Sequence, residues 1–100
     1  MTQHKVAYNA CRGGFGLSDK ARMLYRELSD IKEDDHFDEY DLHRHDPILI
    51  SVIEKLGSEA NGSYSDLKIR TIDSSMYRIR EYDGFESVIT PEEEKYISIE

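Results

Sequence analysis

Acidic residues are concentrated in one short stretch of this 100-residue chain, and that stretch separates the segments that can fold. Residues 30–41 contain seven acids and one lysine, a local net charge of −6 out of −8 for the whole chain. Like charges at this density repel one another and extend the backbone. We therefore expect an acidic loop over residues 30–45 within a single domain spanning residues 1–100. The sequence leaves open whether that loop is ordered.

The segment before the acidic loop has the order strand, glycine-rich turn, helix. Residues 5–9 are typical of a short strand, and residues 13–16 contain three glycines. Glycines at this density mark backbone that needs positive φ or a close approach to another chain segment. Ser18 is a good N-cap, and apolar residues then recur at helical spacing to about Ser29.

The segment after the loop begins with a second helix. Asp46 is its predicted cap, Pro47 its first residue and Gly57 its end. Two strands follow, at 67–72 and 76–82, and we expect the turn at 73–75 to join them as a hairpin. A helical turn from Pro91 and an extended end at 96–99 complete the chain. These elements predict an α+β fold, a small, mainly antiparallel sheet packed against two short helices.

Composition excludes several classes of function. The net charge of −8 and the pI of about 4.9 argue against direct nucleic-acid binding, which needs a basic surface. No apolar run is long enough to cross a membrane, and no apolar signal core follows the N-terminus. The single Cys11 excludes an intramolecular disulfide and a cysteine-based zinc site, and it predicts a cytoplasmic protein. We also expect no cofactor. A core this small also favours homo-oligomerisation.

The glycine-rich turn invites comparison with phosphate-binding loops. A P-loop needs a lysine after its glycines, and a dinucleotide loop needs a third glycine where Asp19 stands. The residue pattern therefore favours a tight strand-to-helix turn with Phe15 directed inward. The alternative is an anion site that uses the residues of this turn, namely Arg12, Gly13, Gly14 and Gly16.

The predicted hairpin carries a second set of basic residues. If its strands alternate faces, one face holds four cations: Lys68, Arg70, Arg78 and Arg80. One interpretation is a solvated sheet face whose charge balances the acidic loop. The other is a site for a nucleotide or for an acidic patch on a partner.

Histidine and cysteine chemistry is a further alternative. His36, His43 and His45 lie close together in sequence and could ligate zinc. Histidines flanked by acids, however, are usually exposed or hydrogen-bonded at the surface, and Asp46 is required as a helix cap. Cys11 beside Arg12 could form a thiolate nucleophile, but the sequence favours a small buried residue that ends a strand. No complete catalytic set is present, so we expect a protein that is not an enzyme.

Several short motifs together resemble a known group of proteins. In chain order they are Asn9-x-Cys11-x-Gly13-Gly14-Phe15-Gly16-Leu17-Ser18, Arg44-x-Asp46-Pro47, Leu56-Gly57, Asn61-Gly62, Leu67-Lys68-Ile69 and Glu81-Tyr82-Asp83-Gly84. The set resembles small uncharacterised proteins of bacteriophages and large DNA viruses, over residues 5–88. The acidic insertion before Arg44 and the tail after Val88 depart from that group. The resemblance implies a viral source and carries no established activity.

Short viral accessory proteins often act by binding, and this gives the leading hypothesis. The chain is then a non-enzymatic accessory protein that binds and inhibits a host defence protein. Its acidic loop would contact a basic surface of that host protein through Asp34, Asp35, Asp38 and Glu39. The alternatives are a protein that sequesters a nucleotide or another small anion, and a histidine-based metal-binding protein.

Overall fold

The computed structural model describes residues 3–30 and 42–93. The elements follow the order β1 (His4–Asn9), α1 (Asp19–Ser29), α2 (Pro47–Leu56), β2 (Leu67–Ile72), β3 (Arg78–Tyr82) and β4 (Phe85–Ile89). Short 3-10 helices follow α2 and β4, at Gly57–Ala60 and Pro91–Glu93. The α+β fold predicted from the sequence is confirmed. The predicted extended end at 96–99 lies outside the described residues.

Both helices begin after their predicted caps, and α2 ends at its predicted glycine. The Ser18 side chain accepts a hydrogen bond from the backbone N–H of Ala21 at 3.1 Å, which satisfies one free donor of α1. Asp46 does the same for Ile48 in α2, at 2.8 Å. Gly57 ends α2 with a φ of +58°, a conformation that suits glycine.

The Tyr25 hydroxyl links the two helices and makes the free energy of unfolding depend on pH in the alkaline range. It donates to the Asp46 carboxylate at 2.5 Å. Burial, then the hydrogen bond and charge of Asp46, raise the pKa of Tyr25 from 10.0 to about 12. Because the folded pKa lies above the unfolded one, this stabilisation is complete below pH 10 and is lost between pH 10 and about 12.

We expect the free energy of unfolding of the wild type to fall by about 2–3 kcal/mol more than that of Tyr25→Phe over this pH range. Denaturant unfolding of both proteins, followed by circular dichroism at several pH values from neutral to alkaline, measures the difference. Parallel decline of the two stability curves would contradict the expectation.

The strands form two antiparallel pairs, β1 with β2 and β3 with β4. The prediction of a hairpin joining β2 to β3 is therefore wrong. β3 turns back instead at Asp83 and Gly84, whose φ angles of +53° and +88° are those of a type I′ turn. This two-residue turn matches the twist of the flanking strands, so it closes β3 onto β4, a strand that the sequence analysis did not predict.

The β1–β2 pair lies between two apolar clusters. One face contributes Ala7 and Leu67 to a large cluster with the buried side chains of α1 and α2. The opposite face contributes Val6 and Ile72 to a small cluster with Val88 of β4. Alternation along each strand sends neighbouring side chains to opposite clusters. The fold therefore has three layers: the two helices, the β1–β2 pair and the β3–β4 hairpin.

The hairpin has one buried face and one exposed face. Ile79, Glu86 and Val88 face the β1–β2 layer, and the exposed Glu81 lies on the same side of the hairpin. The other six side chains point away from it in three cross-strand pairs, and we call this set the outer face: Arg78 with Ile89, Arg80 with Ser87, and Tyr82 with Phe85. No helix within residues 3–30 and 42–93 is long and apolar enough to cross a membrane.

Candidate functional site

An ion pair between Arg44 and the buried Glu86 lies at the centre of a polar cluster. The guanidinium contacts both carboxylate oxygens, one of them at 2.9 Å, and the two side chains are 20% and 7% exposed. The guanidinium also stacks on the Phe15 ring, 3.8 Å from its centroid. A bidentate pair of this kind fixes the position of the hairpin against the rest of the chain.

Asn9 extends this cluster into the backbone. Its side-chain NH₂ donates to the carbonyls of Cys11 and Gly84, at 2.6 and 2.8 Å. Its Oδ1 accepts from the backbone N–H of Asp66 at 2.7 Å, and its own backbone N–H donates to Glu86 at 2.9 Å. Asn9 is fully buried. Its hydrogen bonds join the segment after β1, the segment before β2 and the hairpin, which is a structural role.

The glycine-rich turn serves close packing between backbone segments. A Cβ on Gly13 would overlap the carbonyl oxygen of Tyr64, and a Cβ on Gly84 would overlap the carbonyl of Arg12. Gly16 accepts hydrogen bonds from the 62–65 turn. The close approaches of the turn therefore support the tight-turn interpretation. Arg12 itself is exposed and lies beside the tip of the hairpin.

The four predicted hairpin cations do not share one face. Lys68 and Arg70 project from the β1–β2 pair, whereas Arg78 and Arg80 project from the outer face of the hairpin. Arg70 is held by the Val88 carbonyl and by Glu93 at 2.8 Å. The single basic face was inferred from a β2–β3 hairpin, and it is absent because those strands pair with other partners. The predicted anion site combined these cations with Arg12, and the structure does not place all of them on one surface.

The histidines form a small polar group at the surface. The rings of His43 and His45 are 5.2 Å apart, and Nδ1 of His45 lies 2.8 Å from the hydroxyl of Tyr77. Burial raises the pKa of that tyrosine. Within residues 3–30 and 42–93, no three His, Cys, Asp or Glu side chains are grouped closely enough to hold a metal ion. His36 lies outside the described residues.

Cys11 follows β1 and is half-buried. Its Sγ donates to the Tyr64 carbonyl at 3.1 Å and lies 3.4 Å from Oδ1 of Asn9. These contacts give the cysteine a place in the Asn9 cluster.

The residues predicted to contact a host protein lie outside the part of the chain that the structure describes: Asp34, Asp35, Asp38 and Glu39.

The sequence analysis did not single out the aromatic residues of the outer face. Tyr82 is 77% exposed and Phe85 is 45% exposed, and the two form the cross-strand pair next to the turn. Arg80 is exposed next to them. The Asp-Gly turn at 83–84 was the available signal, since alternation on either side of it assigns Tyr82 and Phe85 to one face.

The base of the outer face ends in a shallow depression of about 170 Å³. Its walls come from the start of β3, the end of β4 and the residues that flank them: Met76, Tyr77, Arg78, Ile89, Thr90 and Pro91. Met76 is 63% exposed at its rim. The outer face therefore presents, in order, an aromatic pair, two arginines and a mainly apolar depression.

No protein-family model matches this chain, and no curated protein or solved structure matches it either. The resemblance to viral and phage proteins stays a prediction.

Proposed function

We propose that this chain is a non-enzymatic binding protein that contacts a partner protein through the outer face of the β3–β4 hairpin. The observation that carries the proposal is the exposure of Tyr82, Phe85 and Arg80 side by side on that face. Tyrosine and arginine are the residue types that most often dominate binding energy at protein interfaces.

The rigidity of the hairpin supports this proposal. Glu86 lies on the strand that carries Phe85, and its buried pair with Arg44 anchors the opposite side of the hairpin. Gly84 fits against the backbone of the glycine-rich turn, which restrains the tip. A face held in place before binding loses little conformational entropy when a partner binds.

The residues that could carry other functions make contacts that stabilise the fold. The glycine-rich turn is in close contact with two backbone segments, and Cys11 and Asn9 belong to one hydrogen-bond cluster. These uses favour binding over catalysis. In the specific form that the viral resemblance suggests, the partner is a host defence protein that the chain inhibits. The acidic residues at 34–39 would supply a second contact surface.

A peptide-display selection tests the proposal. Random peptides displayed on phage are selected on the wild type and counter-selected on the double variant Arg80→Glu/Tyr82→Thr, which preserves strand propensity at position 82. We expect enriched peptides that bind the wild type and lose at least about tenfold in affinity on the variant.

The matched control reverses one charge and removes one exposed aromatic elsewhere, in Lys55→Glu/Tyr64→Thr. This variant is expected to bind the selected peptides like the wild type. A selection in which no peptide distinguishes the outer-face variant from the wild type would contradict the proposed function. Neutralising Asp34, Asp35, Asp38 and Glu39 together measures whether the acidic residues add to binding.

A further inference from the structure

We propose that the outer face recognises an acidic, extended peptide segment with one apolar anchor side chain. This inference rests on the proposed function and adds the chemistry of the partner. The anchor occupies the depression at the base of the hairpin, and the carboxylates of the segment contact the arginines beside it.

The charge of the outer face supports an acidic partner. Its six side chains include two arginines and no carboxylate, although the whole chain carries a net charge of −8. Arg80 forms no ion pair with another residue of the described segments 3–30 and 42–93. The nearest acid along β3, Glu81, belongs to the opposite face and accepts from the Gly84 N–H at 2.6 Å. Carboxylates therefore complement this face, and guanidinium groups bind them in defined geometry.

The depression supports an apolar anchor. Its volume is about 170 Å³, and Met76, Ile89 and Pro91 form much of its wall. An apolar cavity of about 150 Å³ is large enough to hold benzene. An aliphatic or aromatic side chain therefore fits, and the flexible Met76 side chain can adapt to its shape.

The order of these features along β3 sets the spacing expected in the peptide. Met76 lies at the rim of the depression, and Arg78 and Arg80 follow it two and four residues further along the chain, toward the hairpin tip. Same-face positions of an extended chain repeat every two residues, about 6.6 Å apart. An extended segment lying along β3 therefore places acids two and four residues from its anchor.

Fluorescence anisotropy with a defined probe tests this inference. The probe is a fluorescein-labelled peptide, Ser-Leu-Ser-Glu-Ser-Glu-Ser-Gly, in which glutamates follow the leucine anchor by two and four residues. We expect saturable binding to the full chain and a loss of at least about tenfold on Arg80→Glu. Met76→Asp is expected to weaken binding about fivefold or more, because it places a charge at the rim of the depression. Arg80→Lys should retain part of the affinity.

Two matched controls isolate the recognised pattern. Lys55→Glu reverses a charge on α2 and should leave binding unchanged. A peptide of the same composition with its glutamates at one and three residues from the leucine should bind at least about fivefold more weakly, since its acids face away from the arginines. Raising the salt concentration from about 50 to about 300 mM should weaken binding of the first peptide.

Several outcomes would overturn the inference. They are no anisotropy change at millimolar protein, equal binding of the two peptides, and equal binding by Arg80→Glu and the wild type. Tighter binding of single-stranded RNA or DNA by the same face would assign it to nucleic acid instead. If display selection yields peptides that depend on the outer face but lack acids, this inference fails while the proposed function stands.

Discussion

Replacing Arg44 with methionine should lower the free energy of unfolding by about 3–5 kcal/mol. The substitution leaves the Glu86 carboxylate, whose side chain is 7% exposed, without its guanidinium partner. It also removes the cation stacked on Phe15. Because small domains have total stabilities of about 5–15 kcal/mol, this loss removes a large part of the stability of the fold. Urea unfolding followed by circular dichroism measures the loss.

Two further variants separate the charge from the packing. Glu86→Gln keeps an oxygen toward Arg44 and removes one of two opposite charges. Its change in the free energy of unfolding should therefore differ from that of Arg44→Met. The double variant Arg44→Met/Glu86→Leu removes both charges and should recover part of the lost stability. Recovery should be incomplete, because the Asn9 N–H loses its acceptor at 2.9 Å. A loss below about 1 kcal/mol in Arg44→Met would contradict the importance of the pair.

Gly13→Ala should lower the free energy of unfolding by about 3 kcal/mol, the upper range for forcing extra atoms into a packed site. The new methyl group would overlap the backbone carbonyl of Tyr64, which cannot rotate away as a side chain could. Either the glycine-rich turn or the 62–65 turn must move. Chemical denaturation of the alanine variant beside the wild type measures the effect.

Gly14→Ala is the matched control in the neighbouring position. Gly14 has a φ of +90° but open space where a Cβ would lie, so alanine there meets only backbone strain, about 1–2 kcal/mol. Gly13→Ala should therefore be the more destabilising of the two. Equal losses would mean that the contact between position 13 and the Tyr64 carbonyl is relieved by a small movement of one of the two turns.

Features encoded by neighbouring residues were predictable from the sequence. Ser18 and Asp46 cap the two helices as predicted, and Gly57 ends α2 with positive φ. Each of these signals acts within one helical turn, so no tertiary information is needed. The limits of β2 were predicted for a related reason, since turn residues lie on both sides of it.

Features that depend on pairing between distant segments were not predictable in the same way. The sequence indicated β1, β2 and β3 but not which strands pair, so β2 was assigned to β3 instead of β1. Arg44 and Glu86 are 42 residues apart, and no local pattern indicates that they meet. The outer face could have been found from the Asp83–Gly84 turn, which is a strong hairpin signal.

The position of β1 has a consequence for how the chain folds. His4 pairs with Ile72, and Asn9 pairs with Leu67, so β1 meets its partner strand about 60 residues later in the chain. Closing a loop of that length costs about 3.6 kcal/mol of chain entropy before any contact across it is gained. Folding rates fall as contacts become less local. β1 is therefore expected to reach its native place only after the residues up to Ile72 have been synthesised.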